Sequence, residues 1–170
     1  KEISVIAARG WDGAIAVYDV PENRHENHIL KTSTVPADIA GETSEAARAM
    51  ARRLIGALDY VGVMGIEMFV SGSNLIVNEI APRVHNSGHW TQDACVVSQF
   101  EQHIRAICGW PLGSTERHSN VLMHNILGGE SANWADYGAS AHTGVHFYGK
   151  AEARRGRKMG HINVLTPRQG

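Results

Sequence analysis

Apolar and polar positions change places over Glu2 to Ala8, where Ile3, Val5 and Ala7 stand against Glu2, Ser4 and Ile6. A period of two predicts a strand. Arg9-Gly10-Trp11-Asp12-Gly13 holds an Asp-Gly turn signal, so Ala14 to Val20 is expected as the second strand of a hairpin, broken by Pro21 and Asn23. His28 to Ser33 reads as a third strand. The period then lengthens. Ala46, Ala47, Met50, Leu54 and Leu58 recur at helical spacing from Thr43 to Leu58, behind a Thr43 or Ser44 cap. Arg48, Arg52 and Arg53 fall on the solvated side of that helix.

A second hairpin is expected from Val63 to Val70 and Leu75 to Ile80, around a Ser-Gly-Ser-Asn turn. Asp93 to Ile107 reads as a second helix carrying Val96, Val97, Phe100, Ile104 and Ile107, stopped by Gly109 and Pro111. Strand pair, helix, strand pair, helix predicts an α+β layer with an antiparallel sheet. Beyond it, Asn120 to Leu127, Gly144 to Gly149 and Gly160 to Leu165 read as short strands joined by Gly-rich turns. The division expected is residues 1–109 and a small β-rich subdomain over residues 110–170.

The 170 residues are 43% hydrophobic, enough for one sizeable core or two small ones. A formal net charge of −1 gives no global field toward nucleic acid or membrane. Cys95 and Cys108 are too few and too far apart for a disulfide framework or a zinc knuckle, so a reducing, cytoplasmic setting is the default. No apolar run reaches transmembrane length, and no signal peptide is visible. The chain opens at Lys1 without methionine and enters a strand pattern at once, which reads as a piece of something longer.

The chemistry concentrates between Asn78 and Thr91. The strand pattern Leu75-Ile76-Val77 runs into Asn78 and Glu79, Pro82 ends regular pairing, and Arg83, His85, Asn86, Ser87, His89 and Thr91 follow. A strand end that delivers a carboxylate into a loop of donors is a common way to build a ligand site. The plainer alternative is a polar surface loop. Glu67, on the other strand of the hairpin, also interrupts an apolar run. Two carboxylates so close usually share a cation or a proton.

Register tests whether they meet. A two-residue loop at Gly72-Ser73 pairs Ser71 with Asn74 and sets Glu67 opposite Asn78, with Glu79 facing the other way. An odd loop or one bulge sets Glu67 opposite Glu79, and one of these is expected if the acids share a metal. Otherwise they are two unrelated strand-edge glutamates. Oxygen ligands from Glu67, Glu79 and Asn78 suit Mg²⁺. Neither a Gly-x-x-x-x-Gly-Lys loop nor a Gly-x-Gly-x-x-Gly run is present to cradle phosphates. Between Lys150 and Lys158, the glycines at 149, 156 and 160 let backbone approach a phosphate, and no aromatic platform favours nucleic acid.

Asn78-Glu79-Ile80-Ala81-Pro82-Arg83 and His85-Asn86-Ser87-Gly88-His89-Trp90-Thr91 closely resemble the 5-(carboxyamino)imidazole ribonucleotide synthases, ATP-grasp ligases of bacterial purine synthesis. Lys1-Glu2-Ile3-Ser4-Val5 at the start, and Gly149-Lys150, Gly156-Arg157-Lys158 and Gly160-His161 near the end, match the same family. The resemblance implies the C-terminal lobe of an ATP-grasp fold. It also implies a reaction in which ATP, bicarbonate and 5-aminoimidazole ribonucleotide give the carboxyamino product, ADP and phosphate through carboxyphosphate. By the same resemblance Glu67 and Glu79 hold Mg²⁺, Asn78 lies beside the nucleotide phosphates, Glu2 bonds the ATP ribose and His25 lies near the nucleotide. Arg83 faces carboxyphosphate or bicarbonate. Lys150 and Arg157 grip the ribonucleotide phosphate, and His85, Asn86 and Ser87 line the aminoimidazole side. A homodimer is implied for the full-length family.

Two departures stand out. The family usually has glycine where this chain has His28, which puts the local loop geometry in question. The family's N-terminal half, with its glycine-rich loop and ATP-holding lysines, has no counterpart in the 170 residues, so they are expected to fold without turning over alone. Two other readings compete. A non-catalytic half that packs on a partner copy would expose an apolar docking patch. A zinc hydrolase could use His85 and His89, but Pro82 and Gly88 argue against the helix that their spacing needs, and no third ligand has motif spacing. His103 and His124 read as core histidines, and Trp90 as a wall of the site.

Overall fold

Glu2–Arg9 forms β1, the strand on which both cores are built. Its alternation sends Ile3, Val5 and Ala7 into one apolar cluster and Ile6 and Ala8 into another, so the sheet is buried on both faces here. In a computed structural model describing residues 1–72 and 74–168, β1 is joined by β2 (Ile15–Val17), β3 (Glu22–Glu26), β4 (Ile29–Val35), β5 (Gly62–Ser71) and β6 (Asn74–Ala81). β7 (Ser119–Leu127), β8 (Thr143–Phe147) and β9 (Lys158–Pro167) complete the strands. Among the described residues they make one antiparallel sheet in the order β6-β5-β1-β3-β4-β7-β9-β8, with β2 also on β1. The late strands therefore continue the same sheet through the β4–β7 pairing.

Helix α1 (Gly41–Ala57) covers one face with Ala47, Ala51 and Ile55, a stripe at i, i+4 and i+8. Trimming Ile55 to alanine would cost about 2–4 kcal/mol by emptying part of that cluster. The helix starts two residues before the expected Thr43, at an Ala40 that offers no side-chain cap. Arg48 is not purely solvated: its Nη1 donates to Asp19 Oδ1 at 2.9 Å.

The opposite face is covered by a 3-10 turn, Asn86–Gly88, then α2 (Thr91–Ala94) and α3 (Gln99–Ile107). The single helix expected over Asp93 to Ile107 is thus two. Cys95 is extended and bridges Arg117, and Ser98 Oγ then accepts from Glu101 N–H to cap a new helix. Thr91 Oγ1 accepts from Gln99 N–H at 3.0 Å and serves the same helix start. Two hydroxyls beside a β-branched Val96-Val97 pair offer the backbone a better local partner than helix continuation. Trp90 is buried beneath this layer, edge-on to Tyr18, and does not wall the cavity described below.

The third expected strand begins one residue later than predicted and pairs with β3, which the sequence pattern had hidden among Pro21, Asn23 and charged residues. Between them Asn27 and His28 adopt φ of 50° and 63°. Both central residues of the turn are left-handed, the geometry that normally draws glycine. The resemblance expects glycine at position 28, and the backbone explains why.

Candidate functional site

The β5–β6 hairpin sets the site. Ser71 pairs with Asn74, as a two-residue connection requires, and Met68 pairs with Val77; Ser73 within that connection lies outside the described residues. The register then slips, and Glu67 pairs directly with Glu79. Asn78 is the extra residue of a bulge. Directly paired residues share a face, so the two carboxylates project together. A second slip, between Arg24 and His25, puts His25 opposite Leu30.

Between these bulges lies a cavity of about 470 Å³, with Glu2, His25, Glu67, Asn78, Glu79, Arg83, His85 and Asn86 on its walls. Eight of the residues singled out from sequence thus converge. Glu2 and His25 form an ion pair or hydrogen bond through Oε2 and Nδ1. Glu67 is only 15% exposed, and its Oε1 lies 3.7 Å from His85 Nε2. Burial pushes the Glu67 carboxyl above its ordinary range; His25 pulls it back, and Glu79 pushes it further up. A half-buried acid destabilised by a neighbouring acid is a place where a cation is favourable. Two carboxylates and an amide oxygen are hard donors that fit Mg²⁺. Among the described residues no three His, Cys, Asp or Glu side chains gather around one point, so the remaining ligands of such an ion would be water or phosphate oxygens.

His85 is buried. Loss of solvent, then the Arg83 charge, lowers its pKa to about 4, so it is neutral. It fits because β5 has glycine beneath it: a Cβ on Gly65 would stand 2.5 Å from the His85 Cβ. The three remaining expectations fall outside the cavity walls. Ser87 is fully buried below, bonded to Ser4 and His85. Lys150 Nζ donates to the Lys158 carbonyl at 2.6 Å and sits 5.4 Å from the Tyr148 ring centroid. Arg157 is exposed and donates to the Glu152 carbonyl at 3.2 Å. Asn86 reaches the cavity, but its amide is tied to Asn125 by two reciprocal bonds of 2.8 Å.

Lys158 is the residue that sequence reasoning passed over. It lines the cavity, half-buried, and burial lowers its pKa while Glu67 raises it and Arg83 and Lys150 lower it. The available signal was strand parity: Lys158 opens β9, so its side chain alternates with the buried Met159. His28, Leu30 and Phe69 also line the cavity.

A second cluster of imidazoles lies across β8 and β9. His161 stacks on His146 at 4.5 Å and tilts against His89 at 4.8 Å. Burial drives His89 to about 4 and His161 to about 3. Among the described residues His85 and His89 find no third His, Cys, Asp or Glu side chain around a common point, which the zinc-hydrolase reading needs.

Paired acids and a guanidinium in one cavity make a site suited to an oxyanion held with a cation, and comparison with known proteins gives the family. Residues 1–100 match the family model of the ATP-grasp domain, and residues 121–170 match that of the phosphoribosylaminoimidazole carboxylase C-terminal domain. The chain belongs to the ATP-grasp family. It is 53% identical over 169 residues to N5-carboxyaminoimidazole ribonucleotide synthase of Brucella melitensis, covering 99% of this chain and 47% of that protein. The Bacillus subtilis protein of the same name is 44% identical, covering 96% of this chain and 44% of its own length. Among solved structures, an ADP complex of an N5-carboxyaminoimidazole ribonucleotide synthetase superposes with a TM-score of 0.94 at 47% identity, over 98% of this chain and 45% of that one. The Aspergillus clavatus synthase in complex with ADP and 5-aminoimidazole ribonucleotide superposes at 0.93 with 34% identity, over 98% of this chain and 46% of that one. The chain spans about half the length of the curated relatives it matches. Among the described residues no helix is long and apolar enough to cross a membrane.

Proposed function

We propose that the protein carries the C-terminal part of an ATP-dependent carboxylase that joins bicarbonate to the exocyclic amine of 5-aminoimidazole ribonucleotide. The γ-phosphoryl group of ATP passes to bicarbonate, giving carboxyphosphate and ADP. The amine then takes the carboxyl group, directly or as released CO₂, and phosphate leaves. The relatives' printed names, and the ligands of the Aspergillus clavatus complex, support this substrate set. The observation that carries it is the direct pairing of Glu67 with Glu79 beside Arg83, His85 and Lys158 in one cavity.

Each side chain then has a physical task. Glu67, Glu79 and Asn78 would hold Mg²⁺, which when bound neutralises phosphate oxygens of the nucleotide. Arg83 offers a planar fork to a carboxylate or phosphate oxyanion, and Lys158 adds a second positive charge to the same cavity. Glu2 accepts from the nucleotide ribose, with His25 beside it. His85 and Asn86 face the aminoimidazole side. Lys150 and Arg157 grip the ribonucleotide phosphate; Gly149, at a φ of 65° and with open space where a Cβ would stand, supports that reading by leaving backbone accessible beside Lys150. Two free thiols support a reducing, cytoplasmic setting, and a homodimer belongs to the same reading.

The test is ADP release by the complete enzyme. Release should require both bicarbonate and the ribonucleotide, and Glu79→Gln should lower it by about a hundredfold or more. ADP release indifferent to bicarbonate would rule this function out.

A further inference from the structure

A line of buried side chains runs under the cavity from β4 to the 3-10 turn, and its hydrogen bonds can point only one way. The backbone N–H of Ser87 is directed at His85 Nδ1, 3.4 Å away. An N–H can only donate, so Nδ1 holds a lone pair. The Ser87 hydroxyl, 2.9 Å from the same nitrogen, must then donate to it. Having given its one proton, Ser87 Oγ accepts from the Ser4 hydroxyl at 2.7 Å. Ser4 Oγ in turn accepts from Asn23 Nδ2 at 2.9 Å, and Asn23 Oδ1 accepts from Ser33 at 2.7 Å. Ser4, Ser33 and Ser87 are 0% exposed and Asn23 is 5% exposed, so water cannot readily substitute for a missing member.

The sequence places this line deliberately in an apolar setting. Ser4 interrupts the run Ile3-Ser4-Val5-Ile6, and it shares a sheet row with Glu67. The backbone of His85 is fixed separately by Gln99 of α3, whose Oε1 accepts from His85 N–H at 2.9 Å and whose Nε2 donates to its carbonyl at 2.7 Å. Ring position and ring protonation are thus set by different partners.

We propose that Asn23, Ser4 and Ser87 are positioning residues that hold His85 in the tautomer with its proton on Nε2, the nitrogen facing Glu67. His85 then meets the reacting groups as a hydrogen-bond donor to an oxyanion and not as a base. The donor role rests on the reaction proposed above; the tautomer does not.

The measurement is ¹⁵N NMR of His85 in the complete, labelled protein. The wild type should show the proton on Nε2 and an accepting Nδ1. Ser87→Ala keeps the long backbone contact of 3.4 Å and removes the 2.9 Å hydroxyl bond that holds the tautomer. It should therefore give a mixture of tautomers and lower kcat about tenfold with KM for ATP unchanged, and Ser87→Thr, which keeps the hydroxyl, should restore both. A proton on Nδ1 in the wild type overturns the proposal, whether or not any variant folds. So does an Ser87→Ala spectrum identical to wild type. If the tautomer is as stated but bicarbonate is not consumed, the relay stands and the carboxylase reading falls.

Discussion

Glu67 and Glu79 are direct partners across the β5–β6 ladder, brought there by the extra residue Asn78. In a regular hairpin Glu67 would face Asn78, and Glu79 would point to the α1 side of the sheet. One bulge therefore creates the acid pair, at the expense of setting two like charges together. Burial first, and the Glu79 charge after it, hold the Glu67 carboxyl above its ordinary range. A raised carboxyl favours folding when protonated and opposes it once ionised, so the opposition is present at neutral pH and relieved as pH falls. Glu67→Gln should accordingly raise stability at neutral pH by about 1 kcal/mol, read from urea unfolding. Saturating Mg²⁺ should stabilise the wild type by about 2–3 kcal/mol and the variant far less. Equal stabilisation of both would remove Glu67 from any metal role.

Gly65 lies under His85 with no room for a methyl group. Gly65→Ala is expected to cost about 1–3 kcal/mol through overpacking. Combining it with His85→Ala should recover part of the loss, because the clash is between those two side chains. A fully additive double mutant would place the cost elsewhere in β5.

His28 holds a left-handed backbone in the β3–β4 turn. His28→Gly should raise the unfolding free energy by up to about 1 kcal/mol, the relief of strain being partly offset by glycine's freedom in the unfolded chain. Since His28 also lines the cavity, a change in nucleotide affinity measured by calorimetry would show whether its imidazole serves there as well.

His85, His89 and His161 are held neutral by burial, at about 4, 4 and 3 against an ordinary 6.5. Their folded values lie below their unfolded ones, so the unfolded chain binds protons first. The stability they permit is complete above pH 6.5 and is lost as pH falls from there toward 4. Unfolding free energies from urea titrations at about pH 7.5 and about pH 5 should differ by at least about 2 kcal/mol. The drop should be shallower in His161→Gln, and an unchanged drop would assign it to other groups.

Much of this protein was legible in the chain itself. Short apolar runs bounded by turn signals, along Glu2 to Ala8 and around Val63 to Ile80, placed the central strands, because a strand covered on both faces needs apolar side chains at most positions. The stretch from Asn78 to Asn86 supplied five of the cavity's lining residues, Asn78, Glu79, Arg83, His85 and Asn86, since polar groups crowded at a strand end have few other uses. The demand for an odd loop or a bulge could also be written down in advance, from parity joined to the premise that Glu67 and Glu79 share a metal. Tertiary structure decided the rest. Whether Asp93 to Ile107 was one helix or two depended on hydroxyls of Thr91 and Ser98 finding their acceptor roles. Lys158 reaches the cavity only because β9 joins β7 in the common sheet, nearly eighty residues on from Glu79 by rough count. Ser4, Asn23 and Ser33 are unremarkable in sequence, Ser87 was expected to line the site, and the four become a directed line only when four separate segments stack. Local periodicity records which way a side chain points; it holds no information on which distant side chain it will meet.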